Sequence, residues 1–309
     1  MRLLNPMYDF VFKAIFGTEN KTSKELLINL LNDILDLKDK IKSIEYLNPY
    51  NYKENEKDKM SILDIRAKTD KGERINIEVQ IKRDEYFRKR SLYYWAKTYT
   101  ETIQEKQEYE ELKKTIVINI TDYNAITESK KLHTSFYLKE KEEGFVLTED
   151  IQIHFLEAPK LDNKKKISDM TKEELWLCFL KESPKENNEK ALEELKKRGD
   201  TMKKAIEKLE QVSSDERMLE MYRDREKARL DHISAIRSAE RRAEKRGLER
   251  GFEKGIEKGI EKGEQRGEMK KAIETAKKAL AQGANIKFIS EITDLPIETI
   301  EKLKKEMKK

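Results

Sequence analysis

Three residues in the segment SILDIRAKTDKGERINIEVQIKRD, residues 61–84, have the types and spacing for metal-assisted chemistry: Asp64, Glu78 and Gln80. From 73 to 82, Ile75, Ile77, Val79 and Ile81 alternate with Asn76, Glu78, Gln80 and Lys82. A strand repeats every two residues, so Glu78 and Gln80 share one face and the aliphatic side chains the other. From 61 to 68, Ile62, Asp64 and Arg66 share a face opposite Leu63, Ile65 and Ala67. Thr69-Asp70-Lys71-Gly72 joins the two runs and contains the glycine that a tight hairpin turn favours. Folding there sets Asp64 roughly opposite Glu78. Like charges facing one another across a sheet repel unless something neutralises them. A hard divalent cation held by carboxylate oxygens does so. Such a cation also activates water and stabilises the charge that builds on a phosphodiester. The same alternation equally describes solvated positions on a half-exposed strand, so the pattern alone leaves both readings open.

The surrounding elements must hold this hairpin in place. Residues 7–17 read as a short amphipathic helix ended by Gly17, with Asp9 and Lys13 interleaved among apolar side chains. Thr22 and Ser23 are candidate caps of a second helix that carries Leu26, Leu27, Leu30, Leu31, Ile34 and Leu35. A strand is expected at 42–47, a long helix at 85–109, a buried strand at 114–120 (KTIVINI), and two more strands at 133–139 and 151–157. The expected fold is α/β, a mixed sheet flanked by helices over residues 1–160. Pro159 and the run Lys164-Lys165-Lys166 mark its end. On the long helix, Arg88, Lys89, Arg90 and Lys97 are interleaved with Tyr86, Phe87, Tyr93, Tyr94, Trp95 and Tyr99. Such cations suit phosphate contact. The aromatics equally suit packing on a sheet with the cations turned to solvent.

Composition narrows the class. Of 309 residues, 41% are charged, and the large apolar residues are dense before about residue 160 and sparse after about 185, so the sizeable core is expected in the first half. The net charge of +5 permits nucleic-acid binding without arguing for it. Cys178 is the only cysteine, which excludes an intramolecular disulfide and a cysteine-based zinc site. His133, His154 and His232 lie far apart without metal-ligand spacing. The first residues carry no signal-peptide pattern, and no stretch approaches the roughly 20 apolar residues of a membrane span. The expectation is a protein of the cytoplasm with no membrane partner.

After residue 160 the chain reads as helical and polar: a helical region over 161–245, a repeat over 246–268, and a C-terminal helical unit over 269–309. In the repeat, Gly247, Gly251, Gly255, Gly259, Gly263 and Gly267 recur every fourth residue, followed in the first four cases by Leu248, Phe252, Ile256 and Ile260. Glycine inside a helix costs about 1 kcal/mol relative to alanine, so either the segment is a flexible charged linker or something offsets that cost. Close approach of a second chain would, making a homodimer through the C-terminal helical region. The charged positions rule out a membrane dimer. ISEITDLPIETIEKL near the end reads as two short helices around Asp294-Leu295-Pro296, a turn that fits several helical hairpins.

An Asp followed on the next strand by Glu-x-Lys or Glu-x-Gln resembles the PD-(D/E)xK restriction-endonuclease-like superfamily. More narrowly, the chain resembles the Rpn family of recombination-promoting nucleases, also labelled transposases. The matching stretches are MYDFVFKAIFG at 7–17, ILDIRAKTDKGERINIEVQ at 62–80, RKRSLYYWAKTYTETIQEKQEYEELKKTIVINI at 88–120, the glycine repeat and ITDLPIETIEKL at 292–303. The resemblance implies a metal-dependent DNA endonuclease acting in recombination, mobile-element or phage-defence settings. It makes Asp64 and Glu78 ligands of magnesium, with manganese as an alternative, and puts Gln80 where the superfamily has lysine. Lysine would place a positive charge beside the nucleophilic water, whereas glutamine orients it only by hydrogen bonds. Lys13 is a candidate for the missing cation and Asp9 for a third acidic ligand. They lie four residues apart on one helix face, where a surface ion pair between them is the competing reading. Arg90 and Tyr94 match the family's pattern near the active site. Two rivals remain open: a catalytically weak or inactive nuclease-fold binding module acting through its helical tail, and a transposase-associated factor, although no integrase-like acidic triad is evident.

Overall fold

The alternation that singles out Glu78 lies in the middle of a six-stranded mixed sheet. In this computed structural model the described residues are 3–35, 37–48, 50–51, 61–62 and 64–307. The strands are β1 (Ile44–Tyr46), β2 (Tyr50–Asn51), β3 (Ser61–Ile62), β4 (Ile65–Thr69), β5 (Arg74–Gln80), β6 (Thr115–Thr121), β7 (His133–Lys139) and β8 (Val146–Glu157). The helices are α1 (Asp9–Phe16), α2 (Lys21–Ile34), α3 (Phe87–Thr100), α4 (Lys172–Glu182), α5 (Glu189–Lys196), α6 (Asp200–Ser213), α7 (Glu216–Ala281), α8 (Ile286–Thr293) and α9 (Ile297–Glu306). The sheet order is β1-β4-β5-β6-β8-β7, and β2 and β3 pair separately. β5, β6 and β8 run parallel, and the remaining neighbours antiparallel. β4 and β5 form the expected hairpin, in register Ile65↔Ile77 and Arg66↔Asn76. Gly72 takes the left-handed φ of +84° that its turn requires. Leu63, expected in the first strand of the hairpin, lies outside the described residues.

The two faces of the sheet differ in chemistry. One face carries Ile65, Ala67, Ile75, Ile77, Val79, Ile116, Ile118 and Ile120, all buried, and packs on α1 and α2. Asn20 caps α2 by accepting the Ser23 N–H at 2.8 Å, where Thr22 and Ser23 were the expected caps. α3, the crossover between β5 and β6, covers the opposite face through a polar layer. There Asn76 Nδ2 donates to Thr98 Oγ1 at 2.6 Å, and Asn119 Nδ2 to Ser91 Oγ at 2.8 Å. Trp95 Nε1 donates to the Thr115 carbonyl at 3.0 Å. α3 is shorter than expected: it stops at Thr100, with a single 3-10 turn at Tyr109–Glu111.

The core does not end at residue 160. Trp176, Phe179, Leu192, Leu195, Ile206 and Leu209 join the cluster formed by α1 and α2. The low apolar density of 185–212 hid the contribution of Leu192, Leu195, Ile206 and Leu209, because short amphipathic helices need only one narrow stripe to reach a core. Trp176 Nε1 donates to Asp33 Oδ2 at 3.0 Å, fixing α4 to α2, and the Leu4 N–H donates to Ser213 Oγ at 3.0 Å. Thr171 caps α4 in a reciprocal box with Glu174.

The chain forms two compact units, residues 1–225 and 226–309. In the second, the end of α7 packs with α8 and α9 around Ala276, Ile289, Leu295, Ile300 and Leu303. Asn285 caps α8, and Asp294 ends it in the left-handed region. The glycine repeat is continuous helix within the 66-residue α7. Among the described residues, no helix is long and apolar enough to cross a membrane.

Candidate active site

Asp64 and Glu78 are brought together by the hairpin. Glu78 is buried in the middle of β5, and Asp64, partly buried, lies in a bend just before β4. Continuing the β4–β5 register one pair beyond Ile65↔Ile77 sets Asp64 against Glu78. Asp64 Oδ2 accepts the Val79 N–H at 2.6 Å, which anchors the carboxylate to β5. Glu78 Oε2 is 3.4 Å from the Gln80 Nε2 donor, while Oε1 is buried with no hydrogen-bond partner among the described residues. A buried carboxylate oxygen left in this way is costly unless a cation or donor satisfies it.

The electrostatics agree with that geometry. Burial raises the Asp64 pKa to about 6; the Val79 N–H opposes the rise, Asp9 adds to it, and Lys13 and Arg90 act against it. Burial raises Glu78 further, to about 8; the Asp64 charge adds to this, while Arg90 and the Gln80 hydrogen bond oppose it. Burial disfavours the charged form of both groups, and a cation between them would favour it. The donors are all oxygen, which suits a hard divalent ion. Among the described residues no third His, Cys, Asp or Glu completes a metal-binding cluster. Asp9 stands apart at the surface, where Arg225 Nη2 donates to its carboxylate at 3.1 and 3.2 Å. Lys13 forms no ion pair with Asp9; its charge nevertheless acts on Asp64.

α3 delivers the remaining site groups. Arg90 Nη1 donates to Asp84 Oδ2 at 2.7 Å, and its guanidinium lies 4.8 Å from the centre of the Phe87 ring. Its Nε and Nη2 are buried with no hydrogen-bond partner among the described residues, leaving donors on the side chain whose charge acts on both carboxylates. The Tyr94 hydroxyl is raised by burial first and by Glu78 second. The four cations singled out on this helix therefore divide. Arg90 acts on the carboxylates, and Arg88 is tied to Glu128 and to the Ala125 carbonyl. Lys89 is exposed and Lys97 partly buried. Asp84 escaped sequence reasoning because it lies in a loop where no periodicity marks its partner.

His133 and His154, distant in sequence, meet because β7 and β8 pair antiparallel: their rings approach at 2.8 Å, His133 Nε2 to His154 Nδ1. Glu173 lies on the far side of His133, 2.6 Å from Nδ1.

Residues 6–239 match the family described as PD-(D/E)XK nuclease family transposase. The chain belongs to that family. No curated protein and no solved structure matches it. The match supports a nuclease-like or transposase-related function, and nucleases of the PD-(D/E)XK type typically use divalent metals. In this PD-(D/E)XK family member the hairpin brings Asp64 and Glu78 together, with Gln80 one pleat beyond Glu78.

Proposed function

We propose that this chain is a magnesium-dependent DNA endonuclease that hydrolyses phosphodiester bonds, with Asp64 and Glu78 as the metal ligands. The observation that carries this reading is the buried Glu78 carboxylate, with one oxygen unpartnered, beside a second carboxylate held by the Val79 N–H. Magnesium, with manganese as an alternative, keeps several waters and accepts as few as one or two protein carboxylates alongside substrate phosphate. When bound, it would supply a water of lowered pKa and neutralise charge on the phosphate. Gln80, one pleat beyond Glu78, orients the attacking water by hydrogen bonding. Arg90 offers its unpartnered N–H groups to a phosphate oxygen. Lys13 adds positive charge on the Asp64 side, and Asp9 acts from outside the pair. Lys89 and Lys97, with Arg88 where Glu128 releases it, contact the DNA backbone. The protein works in the cytoplasm, on DNA, as a homodimer joined through its C-terminal helical region.

Plasmid cleavage by wild type, Asp64→Ala and Glu78→Ala, with and without magnesium, tests this. Nicking by wild type alone, and only with the metal, is expected; equal nicking by all three sinks the mechanism. One observation favours a second reading. Gln80 lacks the charge of the motif lysine, as a catalytically weak binding module acting through its tail would. Calorimetry separates the two, since a module without a metal site gives no magnesium heat that Asp64→Ala removes.

A further inference from the structure

Leu248, Phe252, Ile256 and Ile260 stand along α7 at four-residue spacing, between 48% and 70% exposed. Each follows a glycine, and a Cβ built on any of the six repeat glycines would meet no heavy atom within 4 Å. Within the unit of residues 226–309, nothing described covers this face or explains glycine where a better helix former would fit.

The other two positions of the repeat carry charge of one sign each. Glu249, Glu253, Glu257 and Glu261 form an acidic row, and Arg250, Lys254, Lys258 and Lys262 form the basic row beside it. At this spacing the neighbours along each row are like charges, which repel on a helix. An ion pair from Lys245 reaches Glu249 at 3.9 Å, and none forms among the described residues from Arg250 to Lys262. Four residues advance by about 40° on a helix of 3.6 residues per turn. The order around α7 is therefore basic, glycine, apolar, acidic. The glycine-apolar face has a basic border on one side and an acidic border on the other. Two such helices packed in parallel about a two-fold axis set basic against acidic on both borders. Packed antiparallel, they set basic against basic and acidic against acidic.

We propose that a second copy of this chain docks on this face in parallel and in register. This rests on the self-association proposed above and adds its direction and its contact rows. Ridges of four-residue spacing pack on one another with a right-handed crossing of about 40–50°. The contact is thus centred near Ile256, where the absence of side chains at Gly255 and Gly259 lets the backbones approach.

Light scattering on the full chain, followed by spin-label distances, tests the proposal. Glu240→Cys and Lys270→Cys are made separately; the native Cys178 is buried, with its thiol pushed up to about 11, and does not compete for label. At a rise of about 1.5 Å per residue, the two positions are about 45 Å apart along the helix. Parallel pairing gives a short label-to-label distance, about 20–30 Å, at both positions. In an antiparallel pair the two distances sum to at least about 90 Å. A dimer with two short distances is expected. A dimer with one long distance overturns parallel pairing and leaves self-association standing. A monomer overturns both. Gly255→Leu combined with Gly259→Leu meets open space and raises helix propensity, so folding is retained, and dimerisation is expected to weaken at least tenfold. An unchanged dimer constant in this variant overturns the assignment to this face.

Discussion

The Asp64 carboxylate accepts the backbone N–H of Val79 at 2.6 Å, so one acidic side chain of the candidate site is held by the strand that carries the other. Asp64→Asn keeps an oxygen for that N–H and loses the charge. It is expected to abolish divalent-cation binding in calorimetry with little change in melting temperature. Asp64→Ala leaves the N–H without its acceptor and should cost a further 1–3 kcal/mol or so in urea unfolding. Equal stability of the two variants would show that the hydrogen bond contributes nothing.

The raised carboxyl pKa values fix a pH dependence. A carboxyl whose folded pKa lies above its unfolded value binds more protons when folded, so stability falls as pH rises between the two values. For Asp64 and Glu78 that window opens near pH 4 and runs through about 6 and about 8. In chelator, the chain is expected to melt lower at pH 8.5 than at pH 5. Glu78→Gln should raise the melting temperature at pH 8.5, reflecting a stability gain on the order of a few kcal/mol at most, and leave that at pH 5 nearly unchanged. Magnesium should stabilise wild type at pH 8.5 and not the variant. A melting temperature independent of pH in both proteins contradicts the electrostatic account.

Arg90 is held at 2.7 Å by Asp84 and lies over Phe87, so its position depends on a planar guanidinium. Arg90→Lys carries the charge without the fork or the stacking surface. Both Arg90→Met and Arg90→Lys are expected to lower the cleavage rate at least tenfold, whereas Asp84→Asn, which keeps an acceptor, should lower it less. Full rescue by lysine would mean that charge alone is used.

Gly17 ends α1 against the strand that begins beside Asp64. A Cβ there would lie 3.1 Å from Ile65 Cγ1, 3.1 Å from the Lys13 carbonyl and 3.0 Å from Lys13 Cγ. The lysine stem can swing away; the carbonyl and the packed Ile65 cannot. Gly17→Val is expected to destabilise by roughly 1–3 kcal/mol in denaturant titration and to weaken magnesium binding with it. Tight binding retained in a destabilised variant would separate α1 from the positioning of Asp64.

Much of this was legible from periodicity. A period of two on both sides of Gly72 is enough to set Asp64 against Glu78, because a slip by one residue would turn every isoleucine of β5 out of the core. The β-branched run at 114–120 announced a buried strand, and β6 is buried along its whole length. The polar side of the sheet was not legible. Asn76 and Glu78 alternate with isoleucines as surface residues do, yet both are buried beneath α3. Two signals pointed that way: Asn119 inside an otherwise apolar strand, and Ser91 and Thr98 seven residues apart on one face of the covering helix. Tertiary pairings set by strand topology, such as His133 with His154, leave no local trace. Nor did the reach of the core into α5 and α6, whose apolar stripes are narrow. TKEELWLCFL at 171–180, by contrast, reads as a helix burying Trp176, Phe179 and Leu180, and α4 does bury them.

The polar layer under α3 has a consequence of its own. Oily contacts tolerate small sliding; the bonds from Asn76 to Thr98, Asn119 to Ser91 and Trp95 to the Thr115 carbonyl do not, since one step of misalignment strands several donors in a dry place. The helix is keyed to the sheet like a ruler pinned at three marks. Arg90 and Tyr94 sit between or beside those marks, so their reach toward the acidic pair is set by hydrogen-bond spacing rather than by snugness of fit. Replacing Asn119 by leucine would fill the space and blur the measurement.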